Sequence, residues 1–287
     1  MKKILTTILS LGVAASAALA GDLSLTATKV AGKLDNVSAD AAIWKNAKFA
    51  TVELYPQTAI EFNDKEAIAL NKDTKGKKAQ VAAVHNGTEI AVLVKWADAS
   101  KNVQGTKCTD TYSDGFALQF AAATKAAQPL PYIGMGSEGR PVVVHLQKST
   151  PVSYEPNGNK DVAHQINRQQ TGVFGKELAD FDAKVASIAK TDYERVFVGE
   201  GFRSLTEIKD GSVVSNAAMS HDGKGWTGSL SRPLKDAYMN ASGTVPVAIA
   251  VWDGGKMGRN GLKLLSSWVA INLEGQKANA KIVAEAT

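Results

Sequence analysis

Residues 90–96 read Ile-Ala-Val-Leu-Val-Lys-Trp, and residues 81–84, just before them, read Val-Ala-Ala-Val, with Gly87 between the two. A short apolar run rich in β-branched residues and bounded by turn residues is a buried strand. A glycine at the turn supplies the backbone freedom that a tight hairpin needs. The stretch therefore predicts a β-hairpin, and the same reading repeats on either side of it. Residues 50–54 alternate, as do 116–120 (Phe-Ala-Leu-Gln-Phe), and 141–146 (Pro-Val-Val-Val-His-Leu) is a further β-branched run. Residues 216–219, 225–232, 245–252 and 264–273 complete the series, with turn residues between them. About ten or more short strands spaced in this way predict an all-β fold, a β-sandwich with a few short helices in its loops.

Helical signals are few. Residues 40–44 (Asp-Ala-Ala-Ile-Trp) predict a short helical turn capped by Ser38. Residues 176–190 place Leu178, Phe181, Val185 and Ile188 on one side of an amphipathic helix. Residues 152–172 are polar, contain Asn157-Gly158-Asn159, and read as a long loop. The chain shows no internal repeat and no linker, so residues 21–287 read as one domain with an excursion at 152–195.

The first twenty residues have the form of a secretory signal. Lys2 and Lys3 give the positive start, residues 4–15 a short apolar stretch, and Ala18-Leu19-Ala20 a small-x-small cleavage site. The apolar run is too short for a membrane span, and no later segment resembles one. Residues 1–20 are therefore expected to be removed, and the mature chain to be soluble and periplasmic. The formal charge of +5 falls to +3 when Lys2 and Lys3 leave. That mild excess, with no basic run interleaved with aromatics, excludes a nucleic-acid binder. Cys108 is the single cysteine. The chain alone thus builds no internal disulfide, no thiolate metal cage and no covalent c-type haem.

The four histidines, His85, His145, His164 and His221, lie at no metal-ligand spacing. No nucleophile elbow, phosphate loop or dinucleotide fingerprint is present, and the acidic residues show no recognisable arrangement. Two glycine-rich loops stand out instead. One is Pro131-Tyr132-Ile133-Gly134-Met135-Gly136; the other runs from Val251-Trp252-Asp253-Gly254 to Lys263. Gly134 and Gly136 leave the Met135 thioether to project alone beside a backbone that a flat ligand can approach. A thioether is a soft, neutral ligand suited to reduced iron. Lys263 precedes the last strand-like run; a lysine binds iron only as the neutral amine, which burial promotes. Lys256 is a rival in the same loop. Together the two loops point to a non-covalently held haem b. Trp96, Trp226, Trp252 and Trp268 fall at strand ends, where they fill a core or line a sugar groove.

An ordered series of segments carries a family resemblance. It comprises 40–45 (Asp-Ala-Ala-Ile-Trp-Lys), 94–98 (Val-Lys-Trp-Ala-Asp) and 112–120 (Tyr-Ser-Asp-Gly-Phe-Ala-Leu-Gln-Phe). It continues with 131–136, then Glu200-Gly201-Phe202, Gly225-Trp226, 231–234 (Ser-Arg-Pro-Leu) and 251–254. In these pieces and their order the chain resembles the haem-binding gamma subunits of periplasmic molybdenum enzymes. These are the ethylbenzene dehydrogenase, dimethylsulfide dehydrogenase, chlorate reductase and selenate reductase type. The resemblance implies a β-sandwich that holds one haem b between Met135 and Lys263. After Gly136 the chain departs from the family's aromatic strand and reads Val142-Val143-Val144-His145, which makes His145 a second rival ligand. The implied role is non-catalytic. It is a relay of single electrons between a c-type cytochrome and an oxidoreductase with a molybdenum catalytic subunit and an iron–sulfur subunit. The competing readings are a carbohydrate-binding sandwich module and a free-standing haem carrier or sensor.

Overall fold

A glycine with φ +96°, Gly87, turns the hairpin on which the fold is built. A computed structural model describes residues 24–57, 65–103, 112–122, 129–150 and 193–286. In it β3 (Lys77–His85) and β4 (Glu89–Ala97) pair antiparallel from Ala79 opposite Trp96 to His85 opposite Ile90. The Asn86 side chain closes the turn, its Oδ1 accepting the backbone N–H groups of Thr88 (2.9 Å) and Glu89 (2.7 Å).

The remaining strands are β1 (Ser24–Lys29), β2 (Phe49–Pro56), β5 (Gly115–Ala121), β6 (Val142–Lys148), β7 (Glu194–Gly199) and β8 (Thr206–Glu207). They continue with β9 (Asn216–His221), β10 (Gly225–Pro233), β11 (Thr244–Trp252), β12 (Leu264–Leu265) and β13 (Val269–Leu273). One layer runs β8-β7-β6-β5-β11 and the other β2-β3-β4-β10-β9. Two seams join them: β12 pairs with both β11 and β2, and β1 pairs parallel with both β13 and β3. The protein is an all-β sandwich.

Alternation along each strand builds the interior. Val81, Val92, Val94 and Trp96 from one layer meet Phe116, Leu118, Phe120, Val247 and Ile249 from the other in one buried cluster. The outer face of the β6-β5-β11 layer is also apolar. Part of it, around Val142, Ala248 and Trp268, lies beneath helix α2 (Ala280–Ala286) and the segment holding Leu130 and Ile133. The rest, Ala117, Ala250 and Trp252 flanked by Val144, Leu146 and Leu265, continues toward the Lys263 loop.

Several expectations change in detail. The 264–273 run is two strands, because Ser266 breaks it: Ser266 Oγ accepts the Ile249 N–H at 2.9 Å, and the Trp268 indole N–H turns to the Pro131 carbonyl at 2.9 Å. The turn at 40–44 is a 3-10 helix, Ala42–Trp44, with no side-chain cap. Ser38 acts there through its carbonyl, which accepts the Ala41 N–H (2.9 Å) and the Trp44 indole N–H (3.0 Å). Helix α1 (Lys65–Asn71) was not foreseen. The signal segment, the 176–190 helix, the 152–172 loop, Cys108 and His164 lie outside the described residues. Among the described residues no helix is long and apolar enough to cross a membrane.

Candidate cofactor site

The pairing of β11 with β12 decides where Lys263 points. Val251 stands opposite Leu264, and Ala250 opposite Leu265. Leu264 and Val251 belong to the interior cluster. Alternation then puts Lys263, one residue earlier, on the outer face beside Trp252. Its Nζ lies 5.4 Å from the Trp252 ring centroid and donates to the Asn260 carbonyl at 3.2 Å. The Trp252 indole N–H donates to that same carbonyl at 3.1 Å, which locks the aromatic ring against the loop. Burial pushes the Lys263 amine down to about 8, and no carboxylate opposes the shift. A neutral amine with a free lone pair is thus accessible near neutral pH, which an exposed lysine does not offer.

The Met135 loop hangs over the same face. Gln119 on β5 faces outward between Ala248 on β11 and Val144 on β6. Its Nε2 donates to the Ile133 carbonyl at 2.6 Å, and the Trp268 indole N–H holds Pro131 from the side. Residues 132–136 close a turn through the Gly136 N–H and the Tyr132 carbonyl at 2.9 Å. From Ala248, below this loop, to Trp252, beside Lys263, is four residues along one strand, or ~13 Å. The floor between is Ala250 and its β5 partner Ala117, the smallest side chains that still exclude water. Met135 itself is half-buried, and its carbonyl accepts the Gly201 N–H at 2.9 Å. One face therefore carries a thioether-bearing loop at one end and a desolvated amine at the other.

The two glycines flanking Met135 serve the loop more than an open approach. Gly136 has φ +80°, and a Cβ there would meet the Gly199 carbonyl oxygen at 2.6 Å. Gly134 lies against the Tyr132 ring, which a Cβ would meet at 2.5 Å. Gly136 is demanded by its positive φ and its backbone neighbour, whereas at Gly134 the exposed Tyr132 ring could move aside.

Of the rivals, His145 is placed elsewhere, while Lys256 borders the same cleft as Lys263. His145 faces inward opposite Leu118, on the far side of the sheet from Met135 and Lys263. It is fully buried, with Nδ1 2.9 Å from Glu194 Oε1 and Nε2 3.1 Å from Arg232 Nη1. Because the guanidinium can only donate, Nε2 accepts and Nδ1 donates, so neither nitrogen is left for a metal. Lys256 ends a 3-10 turn (Gly254–Lys256), and its positive charge lowers the nearby Asp253. His85 and His221 are tied to the Glu274 and Asp98 carbonyls, far apart in the fold.

Of two further features, one decides between the alternatives left open for the tryptophans and the other had no clear signal in the sequence. Trp96, Trp226, Trp252 and Trp268 are each 8% exposed or less, so none offers an open platform for a sugar ring. The acidic residues are not all scattered: Asp98, Asp114 and Asp253 bring carboxylate oxygens within 4.8 Å of one another. They stand at the end of β4, before β5 and after β11, and Asp98 and Asp253 line a small cleft of about 90 Å3 that Lys256 and Lys263 also border. Their only sequence signal is that each sits in one of the segments Trp-Ala-Asp, Ser-Asp-Gly and Trp-Asp-Gly.

Fold and site together define an all-β sandwich that carries its reactive groups on the outer face of one layer and at one end of the strands. Comparison with known proteins makes the class specific. The chain belongs to the ethylbenzene dehydrogenase family, whose sequence profile matches residues 41–263. It is 25% identical over 237 residues to the chlorate reductase subunit gamma of Ideonella dechloratans, covering 81% of this chain and 77% of that protein. Among solved structures it is similar to a family 9 carbohydrate-binding module of Caldicellulosiruptor kristjanssonii in complex with glucose. That match has TM-score 0.41 and 8% identity, over 89% of this chain and 98% of the other.

Proposed function

We propose that the protein is a periplasmic, non-catalytic electron-transfer subunit that holds one haem b on the outer face of the β6-β5-β11 layer, with Met135 and Lys263 as the iron's axial ligands. The observation that carries this reading is the Lys263 amine. It is desolvated on an apolar face, lowered to about 8 by burial alone, and shares that face with the Met135 loop. Lysine amines are normally solvated or paired, because an unpaired buried ammonium is costly. A soft metal centre would remove that cost by taking the neutral amine. The residues present fit the group: two neutral ligands of opposite reach, a small-residue floor at Ala117 and Ala250, and apolar walls at Val144, Leu146 and Leu265.

When bound, a haem with both axial positions filled supplies reversible one-electron chemistry and leaves no position for a substrate. The chain's own part is to limit water on that face, to lower the cost of deprotonating the amine and to fix the thioether loop. On this reading the partners are a molybdenum catalytic subunit and an iron–sulfur subunit, with a c-type cytochrome at the other end of the relay; family membership and likeness to a reductase gamma subunit support a place in a multi-subunit oxidoreductase. The carbohydrate reading loses its main support with the burial of the tryptophans.

The test is a visible spectrum of the purified mature protein, oxidised and reduced, with acid–acetone extraction of the pigment. Extractable haem b with six-coordinate, low-spin bands is the expected result. A colourless protein after expression with ample haem overturns the reading.

A further inference from the structure

We propose that Asp98, Asn102, Asp114 and Asp253 form a binding site for a hard divalent cation, Ca2+ by its donor set, which ties the two layers together at the root of the Lys263 loop. Two unsatisfied oxygens carry the proposal. Asp98 is 6% exposed, and its Oδ2 is buried with no hydrogen-bond partner. Its Oδ1 is already used, accepting the Ser100 backbone N–H (3.2 Å) and hydroxyl (2.8 Å). The second orphan is not acidic: Asn102 Oδ1 is likewise buried without a donor. A Cβ built on Gly255 would lie 3.0 Å from Asn102 Oδ1 and 3.4 Å from Asp253 Oδ1, so both oxygens border the same point. Buried acceptors without donors are rare, and each calls for an unseen partner.

The surroundings hold these oxygens in place. Asp114 is fully buried; its Oδ1 accepts the Gly254 N–H at 2.8 Å, and its Oδ2 accepts the Asn102 N–H at 2.7 Å and the Trp226 indole N–H at 3.0 Å. Three carboxylates this close, in part out of water, repel one another. Burial pushes Asp114 up to about 6 and raises Asp253, with the Asp98 charge adding to both. The nearest lysines do not cancel the cluster. Lys77 gives its Nζ to the Ala97 carbonyl at 3.1 Å, and with Lys256 it only partly offsets the rise at Asp253. Carboxylate and amide oxygens with no nitrogen or sulfur donor are the ligand set of Ca2+, which accepts six to eight oxygens in irregular geometry. Asp98 directly follows β4 in one layer, and Asp114 and Asp253 adjoin β5 and β11 in the other. Asp253 also anchors the loop that leads to Lys263, its carbonyl accepting the N–H groups of Lys256 (3.2 Å) and Gly258 (2.9 Å).

The experiment uses the full mature protein, stripped with EDTA and titrated with Ca2+ by calorimetry and thermal melting. Tb3+ serves as a luminescent probe beside Trp226. Saturable binding of one Ca2+, a rise in Tm and Trp-sensitised Tb3+ emission are expected. Asp98→Asn should weaken Ca2+ binding by at least about ten-fold. Asn102→Ala, which leaves the charges intact, should weaken it less and serves where the first variant fails to fold. The proposal is overturned if the stripped protein binds neither ion and its Tm responds to pH alone, since the carboxyl groups then share protons. Equal Ca2+ affinity in both variants and the parent also overturns it.

Discussion

The two faces of the β6-β5-β11 layer treat polar groups in opposite ways. Inside, His145 lies in a chain of partners in which only Arg232 Nε goes unpaired. Glu194 accepts from Nδ1 and from the Ser215 hydroxyl at 2.7 Å, and Arg232 donates to Nε2, pairs with Asp236 and stacks 4.8 Å from the Phe120 ring. The chain runs from β7 and β6 across the interior to β10, so it fastens one layer to the other. On the outer side, just before β12, the Lys263 amine contacts the Asn260 carbonyl and the Trp252 ring. Matched charges are structural, because each has a partner that folding itself supplies. A desolvated group with no such partner is the better candidate for a ligand that folding does not supply.

Breaking the inner network should have the largest effect on stability. Arg232→Met keeps most of the volume but leaves Asp236 and His145 Nε2 without their donor, and should cost about 3–5 kcal/mol in urea unfolding. A loss under about 1 kcal/mol would show that the two layers do not depend on it. Next comes the outer loop's backbone: Gly136→Ala forces a side chain into φ +80° and against Gly199, and should cost about 1–3 kcal/mol. The visible spectrum should change with it if Met135 is a ligand.

A smaller, pH-dependent effect belongs to His145. Burial, with the Arg232 charge adding to it, holds its pKa below the usual 6.5, so the unfolded chain binds the extra proton first. Stability should therefore be full above pH 6.5 and fall as pH drops below it. His145→Gln should flatten that part of the curve. Smallest in stability are Met135→Ala and Lys263→Ala, each within about 1 kcal/mol, since neither side chain belongs to the matched interior. Both should nevertheless lose or shift the haem bands, while Lys256→Ala should keep them. Retention of unchanged bands in the Lys263 variant would return the choice to Lys256.

Much of the fold was readable because apolar alternation is local. The 81–96 hairpin, β5, β10 and β11 each announce themselves within a few residues. The elements that were missed lack that signal. β1 (Ser24–Lys29) pairs parallel with strands far along the chain and buries only two of its residues, and β7 (Glu194–Gly199) is half-exposed along most of its length. The break at Ser266 depends on Ile249 and Pro131, neither of which is near it in sequence.

The residue types of the candidate site were likewise in the sequence: a methionine between glycines, and a lysine before the last strands. What the sequence by itself determined is most of the strands and the all-β class, because these follow from short-range periodicity; Met135 and Lys263 were singled out through the family resemblance of the loops that carry them. Only the tertiary structure decided that those two residues share one face, that His145 lies on the other, and that Asp98, Asn102, Asp114 and Asp253 meet. Strand register sets the face that His145 takes, and the loops that carry the other residues are brought together by pairing and packing between strands far apart in sequence.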